Sequence, residues 1–165
     1  MEWFEKLGPV PYHREVREAF RNGDLCGKWA KHYPNLFDAF DLGPAQNQCG
    51  LGYHFFEWLA AIVLYHSTGY LSLVESYQFK KHERKQAVVR SFAPPAVLDL
   101  VIDRMIDEGP QCPDLFVYSQ NAADWYFCEV KGPTDTMSLA QRDFFEELER
   151  AGGRPVRVLT FQEIG

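Results

Sequence analysis

The chain is 165 residues long, 46% hydrophobic, 15% aromatic and 24% charged, with a formal net charge of -6. That length carries one domain with a substantial core, and the composition excludes a chain dominated by disorder. The acidic balance argues against a partner held by general electrostatics, because nucleic-acid binders normally carry a basic footprint.

Residues 1–50 read as a helical N-terminal extension broken at "PVP", "GD" and "LGP", with its longest helix predicted over Tyr12–Arg21. The start, "MEWFEKLGP", has no basic leader followed by an apolar core, so no secretory signal is expected. Cys26, Cys49, Cys112 and Cys128 form no CxxC pair and fit reduced thiols, which points to a cytoplasmic protein. A zinc set of Cys26, His32, Cys49 and His54 can be drawn, but its spacing matches no common metal pattern.

Residues 51–165 read as the main domain, opening on a helix over Tyr53–His66. Its apolar run, "FFEWLAAIVLYH", is too short for the roughly 20 residues that cross a bilayer, so no membrane association is expected. The run carries Glu57, and a carboxylate in such surroundings must be paired or reach water or metal. After "STG", the segment "YLSLVESYQF" alternates as a strand. The run "KKHERK" follows, in which Lys80, Lys81, Arg84 and Lys85 are candidate nucleic-acid contacts; a solvated helix face or loop fits it equally well. Val97, Leu98, Val101, Ile102, Met105 and Ile106 then recur at helical spacing behind Pro94 and Pro95, with Gly109 as the stop.

"PDLFVYS" and "WYFCEVK" are short, aromatic and β-branched, and read as a hairpin across "QNAAD". Alternation puts Trp125, Phe127, Glu129 and Lys131 on one face. If Tyr118 lies opposite Trp125, Phe116 meets Phe127 and Asp114 meets Glu129. Opposed side chains have Cβ atoms about 4.5–5.5 Å apart, so two carboxylates there repel. Lys131, a hard divalent metal, or protonation of one acid could offset that, and the metal suits the geometry best. Ser138–Ala151 reads as a helix closed by Gly152 and Gly153, with Ser138 and Gln141 forming a capping box. "PVRVLTF" is the last strand, and strand, helix, strand in this order makes a parallel unit. The fold class is α/β, a mixed sheet flanked by helices.

Pro113-Asp114, then fourteen residues to Glu129-Val130-Lys131, resembles the PD-(D/E)xK nuclease pattern. The continuation "EVKGPTDTMSLAQRDFFEELERAGG" followed by "VRVLTF" is more specific and resembles the VRR-NUC branch of that superfamily. Glu57, Asp114, Glu129, Lys131, Ser138 and Gln141 fall on its marks in order, over roughly residues 53–161. The sequence departs at the turn before Asp114, where the family often has G-x-P-D and this chain has Gln111.

The resemblance implies a restriction-endonuclease-like core and a Mg2+- or Mn2+-dependent nuclease cutting DNA, at branched or flapped structures. It implies Glu57, Asp114 and Glu129 as metal ligands, with the Val130 carbonyl beside them. Lys131 would act as a positioned charge, and Gln141 would act at the site as well as capping its helix. It also implies pairing as a homodimer. Two other readings fit the residues: a nuclease-fold module that binds nucleic acid or protein without cleaving, and a metal-dependent hydrolase of small phosphate esters. Asp135 reads as a turn residue and Cys112 as a packed thiol.

Overall fold

The computed structural model describes residues 4–79, 82–103 and 112–165. Chain order is β1 (Glu5–His13), α1 (Arg14–Arg21), α2 (Asp24–His32), α3 (Ala39–Gln48), a 3-10 turn at Cys49–Leu51, α4 (Phe55–Thr68) and β2 (Leu71–Val74). There follow α5 (Glu83–Phe92), α6 (Pro95–Leu98) running into a π-helical turn at Asp99–Asp103, β3 (Leu115–Ser119), β4 (Asp124–Lys131), α7 (Leu139–Gly152) and β5 (Arg157–Ile164). The strands form one mixed sheet of order β1-β5-β4-β3-β2. β3 runs antiparallel to β2 and β4, whereas β5 is parallel to both β4 and β1.

Alternation in the central strands sorts two cores, one on each face of the sheet. Leu115, Val117, Tyr126, Cys128 and Val130 pack with α1–α4 through Phe20, Phe55, Trp58 and Ile62. Phe116, Tyr118, Trp125 and Phe127 pack on the other face with Val89, Val97, Phe145 and Leu148 of α5–α7. The α4 sequence is apolar on most sides because it is sandwiched: Phe55, Trp58, Ala60, Ala61, Ile62 and Leu64 are all buried. Its helix begins after His54, whose φ is 76°, and ends at Gly69, whose φ of 78° no side chain resists.

The hairpin register is the one the sequence predicts, with Tyr118 opposite Trp125 and Phe116 opposite Phe127. Regular pairing ends one step short of Asp114, at Leu115 and Cys128. The predicted parallel unit is also present, as β4, α7 and β5.

The N-terminal segment is helical as read over α1, α2 and α3, and departs from that reading only at its start. Glu5–His13 is a strand, paired in parallel with β5, so the predicted Tyr12–Arg21 helix starts two residues later, at Arg14, and ends at Arg21 as expected. Pro9 and Pro11 are tolerated because β1 lies at the sheet edge and its register shifts between Leu7 and Val10. Tyr12, Phe20, Cys26 and Leu36 share a core with Leu115 and Val117, so the core continues across residue 50. The predicted strand over residues 70–79 is likewise shorter: it stops at Val74, where Glu75 and Ser76 take φ of 50° and 55°. Met105, Ile106 and Gly109, from the predicted helix after Pro95, lie outside the described residues.

Candidate functional site

The ends of β2, β3 and β4 and the N-termini of α4 and α7 converge on one group of acids. Glu57 comes from the first turn of α4, Glu75 from the turn after β2, and Asp114 from the residue before β3. One carboxylate oxygen from each lies within 4.8 Å of the others, and this is the one such group of His, Cys, Asp or Glu ligand atoms among the described residues. The Cys26, His32, Cys49 and His54 set does not assemble. Cys26 Sγ donates to the Gly23 carbonyl, Cys49 Sγ donates to the Gln46 carbonyl, and His54 bonds Glu75 instead.

Asp114 and Glu129 grip one another's strands. Asp114 N–H donates to Glu129 Oε1 at 3.1 Å, and Val130 N–H donates to Asp114 Oδ2 at 2.9 Å. The side chains thus meet across the position where the ladder would continue. Tyr77 holds the turn that delivers Asp114, its hydroxyl donating to the Pro113 carbonyl at 2.6 Å.

Glu129 is 2% exposed, and its other oxygen takes two donors: Gln141 Nε2 at 3.1 Å and Lys131 Nζ at 3.0 Å. A buried carboxylate needs such partners. Oε1, with the Asp114 N–H as its one donor, still keeps a second lone pair for a further ligand. Gln141 acts twice through one amide. Its Oε1 accepts from Ser138 N–H at 3.1 Å in the predicted capping box, and its Nε2 reaches Glu129. Asp135 is the turn residue expected, accepting from Gly132 N–H at 2.8 Å. At Gly132 a Cβ would stand 2.7 Å from Phe56 Cε2, so any side chain there would have to displace the Phe56 ring or the turn.

The clustered acids repel. Burial first, and then the Glu75 charge, pushes the Glu57 carboxyl up to about 7. Burial, with the Glu129 and Glu57 charges behind it, holds Asp114 well above the usual carboxylate range. Burial alone would lower the His54 pKa, but the Glu75 hydrogen bond and the charges of Glu75, Glu57 and Asp41 outweigh it and raise the net value. A set of oxygens at this spacing, costly to ionise together, fits a hard divalent cation that would relieve the repulsion.

The basic run is corrected in part. Lys85 is 1% exposed and ion-paired to Asp41 at 2.5 Å, so it offers no surface to a nucleic acid. Arg84 is half-exposed on α5, with Nε 2.8 Å from Asp38. Lys80 and Lys81 lie outside the described residues, as does Gln111. Sequence reasoning missed Glu75 and drew His54 only into the zinc set, because both occupy left-handed backbone that only the fold imposes.

The VRR-NUC domain model matches residues 59–161, well over half of the chain. The chain belongs to the VRR-NUC domain family. The matched span of this VRR-NUC chain begins just after Glu57 and contains Glu75, Asp114, Glu129, Lys131 and Gln141. No curated protein matches the chain. Membership in the VRR-NUC family gives a nuclease-type function in general terms, and no helix among the described residues is long and apolar enough to cross a membrane.

Proposed function

We propose that this protein is a Mg2+- or Mn2+-dependent endonuclease that hydrolyses DNA phosphodiester bonds, selectively at flaps or junctions. The observation that carries the reading is the meeting of Glu57, Asp114, Glu129, Lys131 and Gln141 at one end of the sheet, with two of the acids resisting ionisation.

Glu57, Asp114, Glu129 and the Val130 carbonyl would hold the cation. When bound it would supply charge neutralisation on the phosphate and activation of a water. Lys131, tied to Glu129 at 3.0 Å, presents a fixed positive charge beside the acids and steadies the scissile phosphate and the attacking water. Gln141 keeps Glu129 aimed, and the N-terminus of α7 behind it favours a phosphate. Arg84 would contact DNA, and the sequence makes Lys80 and Lys81 candidates for the same role. The selectivity for branched DNA and the pairing as a homodimer suited to two-fold junctions rest on the family resemblance, and the cytoplasmic setting rests on the reduced cysteines.

The deciding experiment is a cleavage panel of flap, junction, single-stranded and duplex DNA with Mg2+, with Mn2+ and with chelator. Nicking of branched substrates that stops with chelator is expected. Metal-dependent binding without cleavage would favour a nucleic-acid-binding module, and turnover of small phosphate esters alone would favour a different hydrolase. Sedimentation at increasing concentration tests the dimer.

A further inference from the structure

Glu75 sits where nothing local would keep it. It follows the last residue of β2, and both Glu75 and Ser76 hold left-handed backbone without being glycine. Such a turn persists only when its surroundings fix it. Lys85 does so from beneath: its buried Nζ donates to the Val74 carbonyl at 2.5 Å, to the Glu75 carbonyl at 3.0 Å and to Asp41 of α3. Three donors meet three acceptors, which uses the whole ammonium group. Glu75 N–H donates to the Asp114 carbonyl at 2.8 Å, tying the turn to the next acid of the site.

The side chain is held separately. His54 Nδ1 donates to Glu75 Oε2 at 2.8 Å, and His54 Nε2 lies against the Gln48 side-chain oxygen at the end of α3. Glu75 is therefore fixed at its backbone by Lys85 and Asp41 and at its carboxylate by His54 and Gln48. A surface acid with a solvent role needs neither.

We propose that Glu75 is a metal-binding carboxylate alongside Glu57 and Asp114, and that His54 and Lys85 are positioning residues that hold it there. The support reaches through Asp41 and Gln48 into α3, so the N-terminal segment belongs to the working site. The inference rests on the metal-dependent reading above. Partners that orient metal ligands typically change metal affinity about 10–100-fold when removed.

Mn2+ alone is titrated by calorimetry into the chelator-stripped full chain. His54→Asn suits the test, because asparagine accepts left-handed backbone and is too short to replace the imidazole contact. Glu75→Gln and His54→Asn are each expected to weaken Mn2+ binding by about 10-fold or more, with the chelated melting temperature of His54→Asn unchanged. In a Glu75→Gln background, His54→Asn should weaken binding no further, the signature of action through Glu75. Asp41→Asn with Lys85→Met removes the buried charges together and keeps a side chain to cap α3; it should lower Mn2+ affinity too. Wild-type affinity in Glu75→Gln, while Asp114→Asn abolishes binding, would overturn the role of Glu75 and leave the metal site standing. Equal weakening by His54→Asn with and without Glu75 would overturn the positioning role. Unchanged binding in Asp114→Asn would remove the metal-dependent reading itself.

Discussion

Glu57→Gln isolates the electrostatic cost of the site. In the folded chain Glu57 holds its proton up to about pH 7, against an ordinary value of 4.5. Its folded pKa is raised, so the fold bears no cost from it below about pH 4.5 and loses stability as pH rises from there to about 7. At about 1.4 kcal/mol per pH unit, the full cost above pH 7 is about 3 kcal/mol. Glutamine cannot ionise and leaves that cost behind. For a chain of this size, about 3 kcal/mol corresponds to roughly 6–12 °C in Tm. Melts of wild type and Glu57→Gln in chelator should therefore coincide near pH 4.5 and separate progressively up to pH 8, with the variant melting higher. Added Mn2+ should close the gap, because binding to the folded state stabilises wild type more than the variant. A gap that stays flat across pH, or a variant that melts lower at pH 8, would refute the account of burial and mutual repulsion.

Three further outcomes follow from the geometry. Asp114→Asn should lower DNA cleavage by at least about 10²-fold while circular dichroism stays native, since an amide keeps the size of the side chain and removes its charge; full activity would take Asp114 out of the site. Gly132→Ala drives a methyl into Phe56, where 2.7 Å separates the atoms, and should cost about 1–3 kcal/mol in urea unfolding; an unchanged midpoint would mean that the turn yields freely. Gln141→Glu keeps an oxygen for Ser138 N–H but turns a second carboxylate oxygen toward Glu129, so in chelator it should melt below wild type as the two acids repel, and it should lose cleavage. Wild-type cleavage by Gln141→Glu would limit Gln141 to its cap.

The hairpin and its acids were legible because strand alternation has a fixed period: once Tyr118 faces Trp125, Asp114 and Glu129 must approach. Helix α7 was legible from its capping box and its closing glycines. The rest depended on partners far along the chain. Lys85 reads as one of a run of surface cations, and only Asp41, 44 positions away, makes its burial possible. Glu75 lies in a segment that alternates like a strand, yet β2 ends before it because Glu75 and Ser76 turn into left-handed backbone. Pro9 and Pro11 read as breaks, and an edge position is what lets them stand in β1.

The outer pair of strands has a consequence for how the protein is made. Tyr12 of β1 contacts Glu163 of β5 across 151 positions of sequence, so β1 is synthesised long before the strand it pairs with. Until β5 emerges, β1 has no partner and β4 has one open edge, an exposure that invites chaperone contact. The acids of the site all precede β5, so the sheet that carries them is completed only once β5 has been synthesised.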